Sequence, residues 1–540
     1  MGPSRVNPYT GQILDADIIF DDSMARYYLK DYELMIRQAP GKLFFSPEQE
    51  KELASDPERY PMAHVPPELA RALGERTEAY QALDRSIGAC GYGEGISHEL
   101  GLAALAGVAL AGKPAAQPNG QPEWPEEFIG QVIKETVMHE VGHTLGLRHN
   151  FKASSWRPLS EINSKETPEA TTGSVMDYNA INIRSKSTTP QGKYSTTTIG
   201  PYDYWAIEYG YKPSANEKAD LEKVAARVAE NGLAYGTDED TSGPDPLINR
   251  WDLGQDPLEF ARERLELATT LEKDLVDRLI KPGEGFQDVR KGYMALMYEK
   301  AHGGILAARF VGGQYCNRDH KGDPNGREPI ITVPAAKQRE ALKFICEKLF
   351  ADETWKTPPE LIRKLAVGRW EHWGSGDGAE DPAFPLYDQI LNSQRWALFG
   401  VLNSKTLQRV LDQEARVAEN EEVLTLPELF ETLDAAIFAE LDLKQAPAAA
   451  FTPRKPFLTT TRRNLQRAYA GELIAMALGK GSTPQEARTL AWYYAKQVVA
   501  KIDAAQKALA GKLDGYSASH LEETKVRLEK AIESSYQNQK

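Results

Sequence analysis

The spacing of apolar residues changes several times along the chain, and each change predicts a different element. After a turn at Asn7-Pro8-Tyr9-Thr10-Gly11, Leu14, Ala16, Ile18 and Phe20 alternate with Ile13, Asp15, Asp17 and Ile19. This period of two predicts a half-buried strand over residues 12–20, near a sheet edge. At 23–38 the spacing lengthens, and Met24, Tyr27, Tyr28, Tyr32 and Met35 mark one helical face. A proline-broken loop at 39–66 separates it from a second helix expected at 67–89. Gly91-Tyr92-Gly93-Glu94-Gly95 reads as a flexible turn, since no Lys-Ser/Thr pair follows to make a phosphate loop. The alanine-rich run at 101–112 is too short to span a membrane. A Pro-, Gly- and Gln-containing loop at 113–124 then leads into a helix starting at Pro125. Glu126 and Glu127 suit its first turn, and Phe128, Ile129, Val132, Ile133, Val137 and Val141 supply its apolar faces.

Residues 150–176 and 180–200 are polar loops, and 212–230 is again helical. From Pro257 onward the pattern predicts helices at 258–280, 289–303, 335–350, 359–371, 386–419, 427–441, 461–478 and 484–510. A short strand pair at 311–315 and 329–333 interrupts them. No fixed-period repeat is present. The expected class is α+β: a small mixed sheet with a prominent helix in 1–215, an acidic connector over 216–256, and a predominantly helical region over 257–540. Trp370, Trp373, Trp396 and Trp492 fit helix packing, and the isolated His302, His320, His372 and His520 fit structural roles.

With 540 residues the chain is long enough for several cores, and its 41% hydrophobic and 26% charged content is that of a globular protein. A net charge of −14 leaves no basic surplus to neutralise phosphates, which argues against a nucleic-acid partner. No segment is a membrane span and no apolar stretch follows Met1 to form an export signal. The three cysteines, Cys90, Cys316 and Cys346, exclude a disulfide scaffold and leave at least one thiol free. Cys90 precedes the motif described next, but no propeptide-like segment surrounds it, so simple burial is its reading.

The chemistry is concentrated at His139, Glu140, His143, Gly146 and His149, spaced H-E-x-x-H-x-x-G-x-x-H. Four residues apart on a helix, His139 and His143 project from one face and can bind one zinc ion. Glu140 lies where its carboxylate reaches a zinc-bound water rather than the metal. Gly146 is suited to end the helix, because glycine adopts the left-handed conformation that reverses the chain. His149 can then return as third ligand, leaving a fourth position open, the mark of a catalytic site. His98-Glu99 fails as a second such motif because residue 102 is leucine. The acidic run Asp238-Glu239-Asp240, with Asp245, is a candidate for calcium, although it lacks the spacing of an EF-hand loop.

Downstream lies Ser174-Val175-Met176-Asp177-Tyr178. Together with the long zinc motif this resembles the metzincin zinc endopeptidases, which carry a methionine turn beneath the metal. The runs NFKASSW at 150–156, GPYDYWAIEYGY at 200–211 and GTDEDTSGPDPLINRWDLG at 236–254 are similar more narrowly to the bacterial EcxA-type metalloproteases. The resemblance implies a metzincin-like catalytic domain in 1–215 and hydrolysis of protein or peptide substrates. It implies that Met176 floors the three imidazoles and that Tyr178 stabilises the oxyanion. It places Asp203, Ala206, Ile207, Tyr209 and Gly210 on the helix closing the catalytic subdomain. The clan begins with strands and a helix not found ahead of residue 12. A start at Met1 therefore means a sheet lacking strands, and the resemblance implies instead a longer, extracytoplasmic protein, periplasmic or secreted. Two other functions fit the same residues: an inactive zinc-containing binding or assembly protein on a truncated fold, and a zinc hydrolase of non-peptide amides or esters.

Overall fold

An antiparallel hairpin opens the computed structural model, which describes residues 4–10, 13–16, 18, 92–110, 126–185, 190–367, 383–443 and 449–537. Its strands β1 (Ser4–Val6) and β2 (Ile13–Ala16) pair Ser4 with Ala16, and Arg5 meets Asp15 in an ion pair. The strand is shorter than 12–20, and Leu14, assigned to its apolar face, is 58% exposed. Among the described residues this sheet is a two-stranded ribbon, which has too little surface to bury a face of side chains. The helices expected at 23–38 and 67–89, and the loops at 39–66 and 113–124, lie outside the described residues.

Helix α1 (Tyr92–Leu110) starts within the glycine-rich run expected to be a turn. The glycines there serve packing: a Cβ on Gly95 would stand 2.1 Å from the Trp251 indole. Removing it lets an aromatic ring lie against the helix wall. Helix α2 (Glu126–Thr144) buries Phe128 and Val132, whereas Ile133, Val137 and Val141 of its expected apolar faces remain between 37% and 39% exposed. Helix α3 (Pro201–Tyr211) begins on proline, and α4 (Glu217–Ala225) is shorter than expected because the chain tightens into i→i−3 turns through Glu230.

Beyond residue 256 the chain is largely helical, as its pattern predicts. Asp256 caps α5 (Pro257–Glu272) by accepting the Leu258 amide, and a separate turn of helix follows at Leu275–Leu279. Helix α6 (Gln287–Ala308) leads to the hairpin of β3 (Gln314–Cys316) and β4 (Ile330–Thr332), antiparallel with Tyr315 opposite Ile331. Helix α7 (Ala335–Phe344) runs on into a π-helical turn at Ile345–Leu349. Of the helix expected over 359–371, Pro359–Ile362 is helical; Trp370, Trp373 and His372 lie outside the described residues. The single helix expected over 386–419 is two, α8 (Leu386–Leu402) and α9 (Ser404–Asp412). The Asn403 side chain accepts the Thr406 amide and so starts the second.

Helices α10 (Leu426–Ile437), α11 (Thr460–Ala477) and α12 (Gln485–Ala508) match their patterns closely. Helix α13 (Gly515–Gln537) had no counterpart in the sequence reading. Its buried face, Ser517, His520, Leu521, Thr524, Leu528 and Ala531, has helical spacing but is half polar, so hydrophobic periodicity could not reveal it.

The centre of this arrangement is α6, buried along most of its length and packed chiefly against α5 and α8. A continuous apolar cluster runs from Tyr92 of α1 and Phe128 of α2 through Leu296 and Leu349 to Leu473 and Leu528. A buried ionic junction lies within it. Arg264 of α5 donates to Glu99 of α1 at 2.6 Å and approaches Glu299 of α6 at 3.5 Å, and Glu299 meets His98 at 2.5 Å. The result is an α+β protein in which the helices predominate and α2 is fixed between the core and a wrapping of loops.

Candidate metal centre

Helix α2 presents His139, fully buried, and His143 one turn later. Its end is closed by glycine in the left-handed region. Gly146 has φ +83°, its amide bonds the His143 carbonyl at 2.9 Å, and the Leu147 amide bonds the Gly142 carbonyl at 3.0 Å. This pair of bonds is a Schellman closure, which a residue with Cβ adopts at a cost. The reversal returns His149 to the other two rings. Ring centroids are 4.7 Å apart for His139 and His143, 4.8 Å for His143 and His149, and 5.5 Å for His139 and His149. One ligand nitrogen from each lies within 4.8 Å of the others.

Each ring is oriented through Nδ1. The Val175 carbonyl holds His139 at 2.8 Å, the Leu147 carbonyl holds His143 at 3.0 Å, and the Asp238 carboxylate lies 3.0 Å and 3.1 Å from Nδ1 of His149. Engaging Nδ1 fixes the tautomer that presents Nε2 as a lone pair. Nε2 of His143 is buried without a hydrogen-bond partner. A buried acceptor left unmatched is costly unless something electropositive meets it, and three neutral imidazoles are a zinc donor set. Burial, reinforced by the neighbouring His143 and His149, holds the His139 pKa well below the ordinary imidazole value. Burial lowers His143 as well. Both therefore stay neutral at pH 7, as ligation requires.

Around the triad the other expected residues gather. Glu140 is buried, and its charge favours the protonated form of His143, which places the two near each other. Met176 is fully buried against α2 at Gly142, where a Cβ would stand 2.1 Å from its Sδ. The loop carrying Met176 is tied down by Asp203 of α3, which accepts Ser174 Oγ at 2.5 Å, the Val175 amide at 2.9 Å and the Gly200 amide at 2.8 Å. Tyr178 is buried with its ring edge-on to His149 at 4.8 Å and 5.6 Å from His139.

Two aromatic neighbours escaped the sequence reading. Tyr92 stacks on His139 at 4.9 Å, and Trp251 lies 5.6 Å from Tyr92 and 5.3 Å from Tyr178. Trp251 has φ +63°, and its amide donates to the Tyr178 carbonyl at 2.7 Å. The only signal for Tyr92 was the glycines flanking it, and the turn reading absorbed them.

The calcium expectation is not supported. The Asp238 carboxylate meets His149 and Arg250, Glu239 meets Arg148, and Asp240 meets Arg318. Asp245 takes the buried Lys152 ammonium at 2.6 Å and the Cys316 amide at 2.9 Å, while Lys152 also donates to the Cys316 carbonyl at 2.8 Å. Each acid has a cation within the protein, so no cage of free oxygens remains. His98, Glu99 and Glu299 also converge, but Arg264 lies among them and supplies the positive charge. Cys316 and Cys346 are free thiols, and Cys90 lies outside the described residues. Among the described residues no helix is long and apolar enough to cross a membrane.

A family model described as Met-zincin matches residues 121–445, more than half of the chain and all of the triad. No curated protein and no solved structure matches the chain.

Proposed function

Because the chain belongs to the Met-zincin family, we propose that it is a zinc-dependent endopeptidase acting on protein or peptide substrates, with Glu140 as general base. The observation that carries this reading is the buried, unpartnered Nε2 of His143, within a triad whose Nδ1 atoms are all engaged. Zinc held by His139, His143 and His149 would supply a Lewis acid that acidifies water and polarises a carbonyl. The Glu140 carboxylate then accepts a proton from the attacking water and returns it to the departing amine. The Tyr178 hydroxyl donates a hydrogen bond to the carbonyl oxygen as it gains charge. Met176 supports the rings from below, and Gly146 makes the reversal that returns His149. By family resemblance the setting is extracytoplasmic.

The test uses purified chain loaded with stoichiometric zinc and offered casein or an unstructured fluorogenic peptide. Cleavage that a chelator abolishes and added zinc restores is the expected result. Stoichiometric zinc without cleavage of any unstructured protein would sink the peptidase reading and leave a zinc-containing binding protein.

A further inference from the structure

The three imidazoles are not held alike. His139 and His143 are each fixed by a backbone carbonyl close to the zinc helix or its methionine loop. His149 is fixed by a side chain 89 residues further along the chain, the carboxylate of Asp238, with both oxygens within 3.1 Å of Nδ1. A carboxylate is a stronger acceptor than a carbonyl, and it makes the opposite ring nitrogen a better metal donor.

The surroundings of Asp238 are built to keep it there. Arg250 reaches the same carboxylate at 3.2 Å, and its guanidinium lies over the Phe151 ring at 4.7 Å, which in turn stacks on His149 at 5.0 Å. Asp240 accepts the Thr237 amide at 2.9 Å, closing the 3-10 turn on which Asp238 sits. Beside it, Arg148 makes two bonds to Glu239 at 2.7 Å and 2.8 Å. Backbone bonds register the two segments: the Phe151 amide meets the Gly236 carbonyl at 2.7 Å, and Asn150 Nδ2 meets the Ala234 carbonyl at 2.9 Å.

We infer that Asp238 is the positioning residue of the third metal ligand, fixing the Nδ1–H tautomer of His149 and aiming Nε2 at zinc, with Arg250 keeping the carboxylate in place. This rests on the zinc reading above and adds to it a source of metal affinity in the stretch expected to be an acidic connector. Asp238 is partly open to solvent, with its side chain 41% exposed, so replacing it leaves no internal void.

The experiment is a competition titration of the full chain against a fluorescent zinc chelator, in wild type, Asp238→Asn, Asp238→Ala and Glu239→Gln. The metal-free unfolding midpoint of each is read in parallel. Asp238→Asn is expected to weaken zinc by about 10-fold and Asp238→Ala by up to roughly 100-fold. The visible spectrum of the cobalt-loaded Asp238→Ala chain should change in shape, and metal-free midpoints should stay near wild type. Glu239→Gln removes the neighbouring Arg148 contact without touching His149 and should bind zinc as wild type does. Wild-type affinity in Asp238→Ala overturns the assignment, and so does an equal loss in Glu239→Gln, which would trace the effect to the turn as a whole. If Asp238→Ala unfolds without metal, Asp238→Asn decides, and unchanged affinity there overturns it. A wild-type chain that takes up no zinc overturns the triad reading along with the assignment, so the two failures are distinguishable.

Discussion

The carbonyl oxygen of Val175 accepts a hydrogen bond from Nδ1 of His139 at 2.8 Å. That bond couples the first imidazole of the triad to the residue immediately before Met176, so the methionine loop and α2 act as one unit. The loop in turn depends on Asp203, whose carboxylate collects three donors from residues 174, 175 and 200. Asp203→Ala would leave those donors without their acceptor in a buried site, at a cost of about 3 kcal/mol or more. Urea unfolding of the metal-free protein should show that loss, together with weaker zinc binding as His139 loses its fixed orientation. Wild-type stability in the variant would remove Asp203 from this role.

Gly142 tests the contact between α2 and Met176. Alanine is favoured over glycine within a helix by roughly 1 kcal/mol. Here its Cβ would meet Sδ of Met176 at 2.1 Å in a fully buried site. The clash is expected to outweigh the propensity, so Gly142→Ala should destabilise by about 1–3 kcal/mol. In a Met176→Ala background the same change should become neutral or stabilising. A double-mutant cycle by thermal unfolding reads this reversal of sign, and additive effects would place the clash elsewhere.

The role proposed for Glu140 concerns chemistry rather than binding. Glu140→Gln retains all three imidazoles, so zinc stoichiometry should hold while peptide turnover falls by about 10²–10⁴-fold. Equal turnover in the variant would exclude Glu140 as the base.

Glu135, one turn before His139, gives a pH prediction. Burial pushes its pKa from 4.5 up to about 7, against the opposing effect of hydrogen bonds from Asn179 and Ser195. The folded state thus holds a proton that the unfolded chain releases nearer pH 4.5. The stabilisation is present below that value and is lost as pH rises towards 7, on the order of 3 kcal/mol. Burial also raises Asp252, to about 6, with the same sign. His139 and His143, both lowered by burial, act in the opposite sense, since their contribution is lost as pH falls below about 6.5. Subtracting the stability profile of metal-free Glu135→Gln from that of wild type isolates the carboxyl. The difference should favour wild type at pH 5 relative to pH 8, and a flat difference would refute the assignment.

Local patterns were legible in the sequence to the extent that a feature depended on neighbours in the chain. The histidine-bearing helix α2, its glycine closure at Gly146 and the β3–β4 hairpin all follow from spacing and turn chemistry within a few residues. Long-range partners did not show. Nothing near Asp238 says that its carboxylate meets His149, and its acidic run fits calcium by sequence because acids in a row look alike until their cations are known. Gly95 read as a turn because the indole it accommodates is far along the chain at Trp251. Asn403 split a continuous apolar pattern by capping, a side-chain bond that periodicity does not register. Helix α13 remained hidden because His520 and Ser517 are satisfied internally, His520 by Gln466 at 2.9 Å and Ser517 Oγ by accepting the Leu458 amide at 3.0 Å.

Lys152 lies three residues past His149, and its buried ammonium is neutralised by Asp245 and bonded to the carbonyl of Cys316 in the β3 strand. This makes the centre poorly portable. A host scaffold given only residues 126–178 would inherit the Lys152 ammonium without the Asp245 carboxylate that neutralises it, a debt of several kcal/mol if the site stays dry. Natural recombination and protein engineering face the same constraint: a transplant that works must carry the sequence through Cys316, and a crossover between Tyr178 and Asp245 should yield chains that cannot assemble the histidine triad.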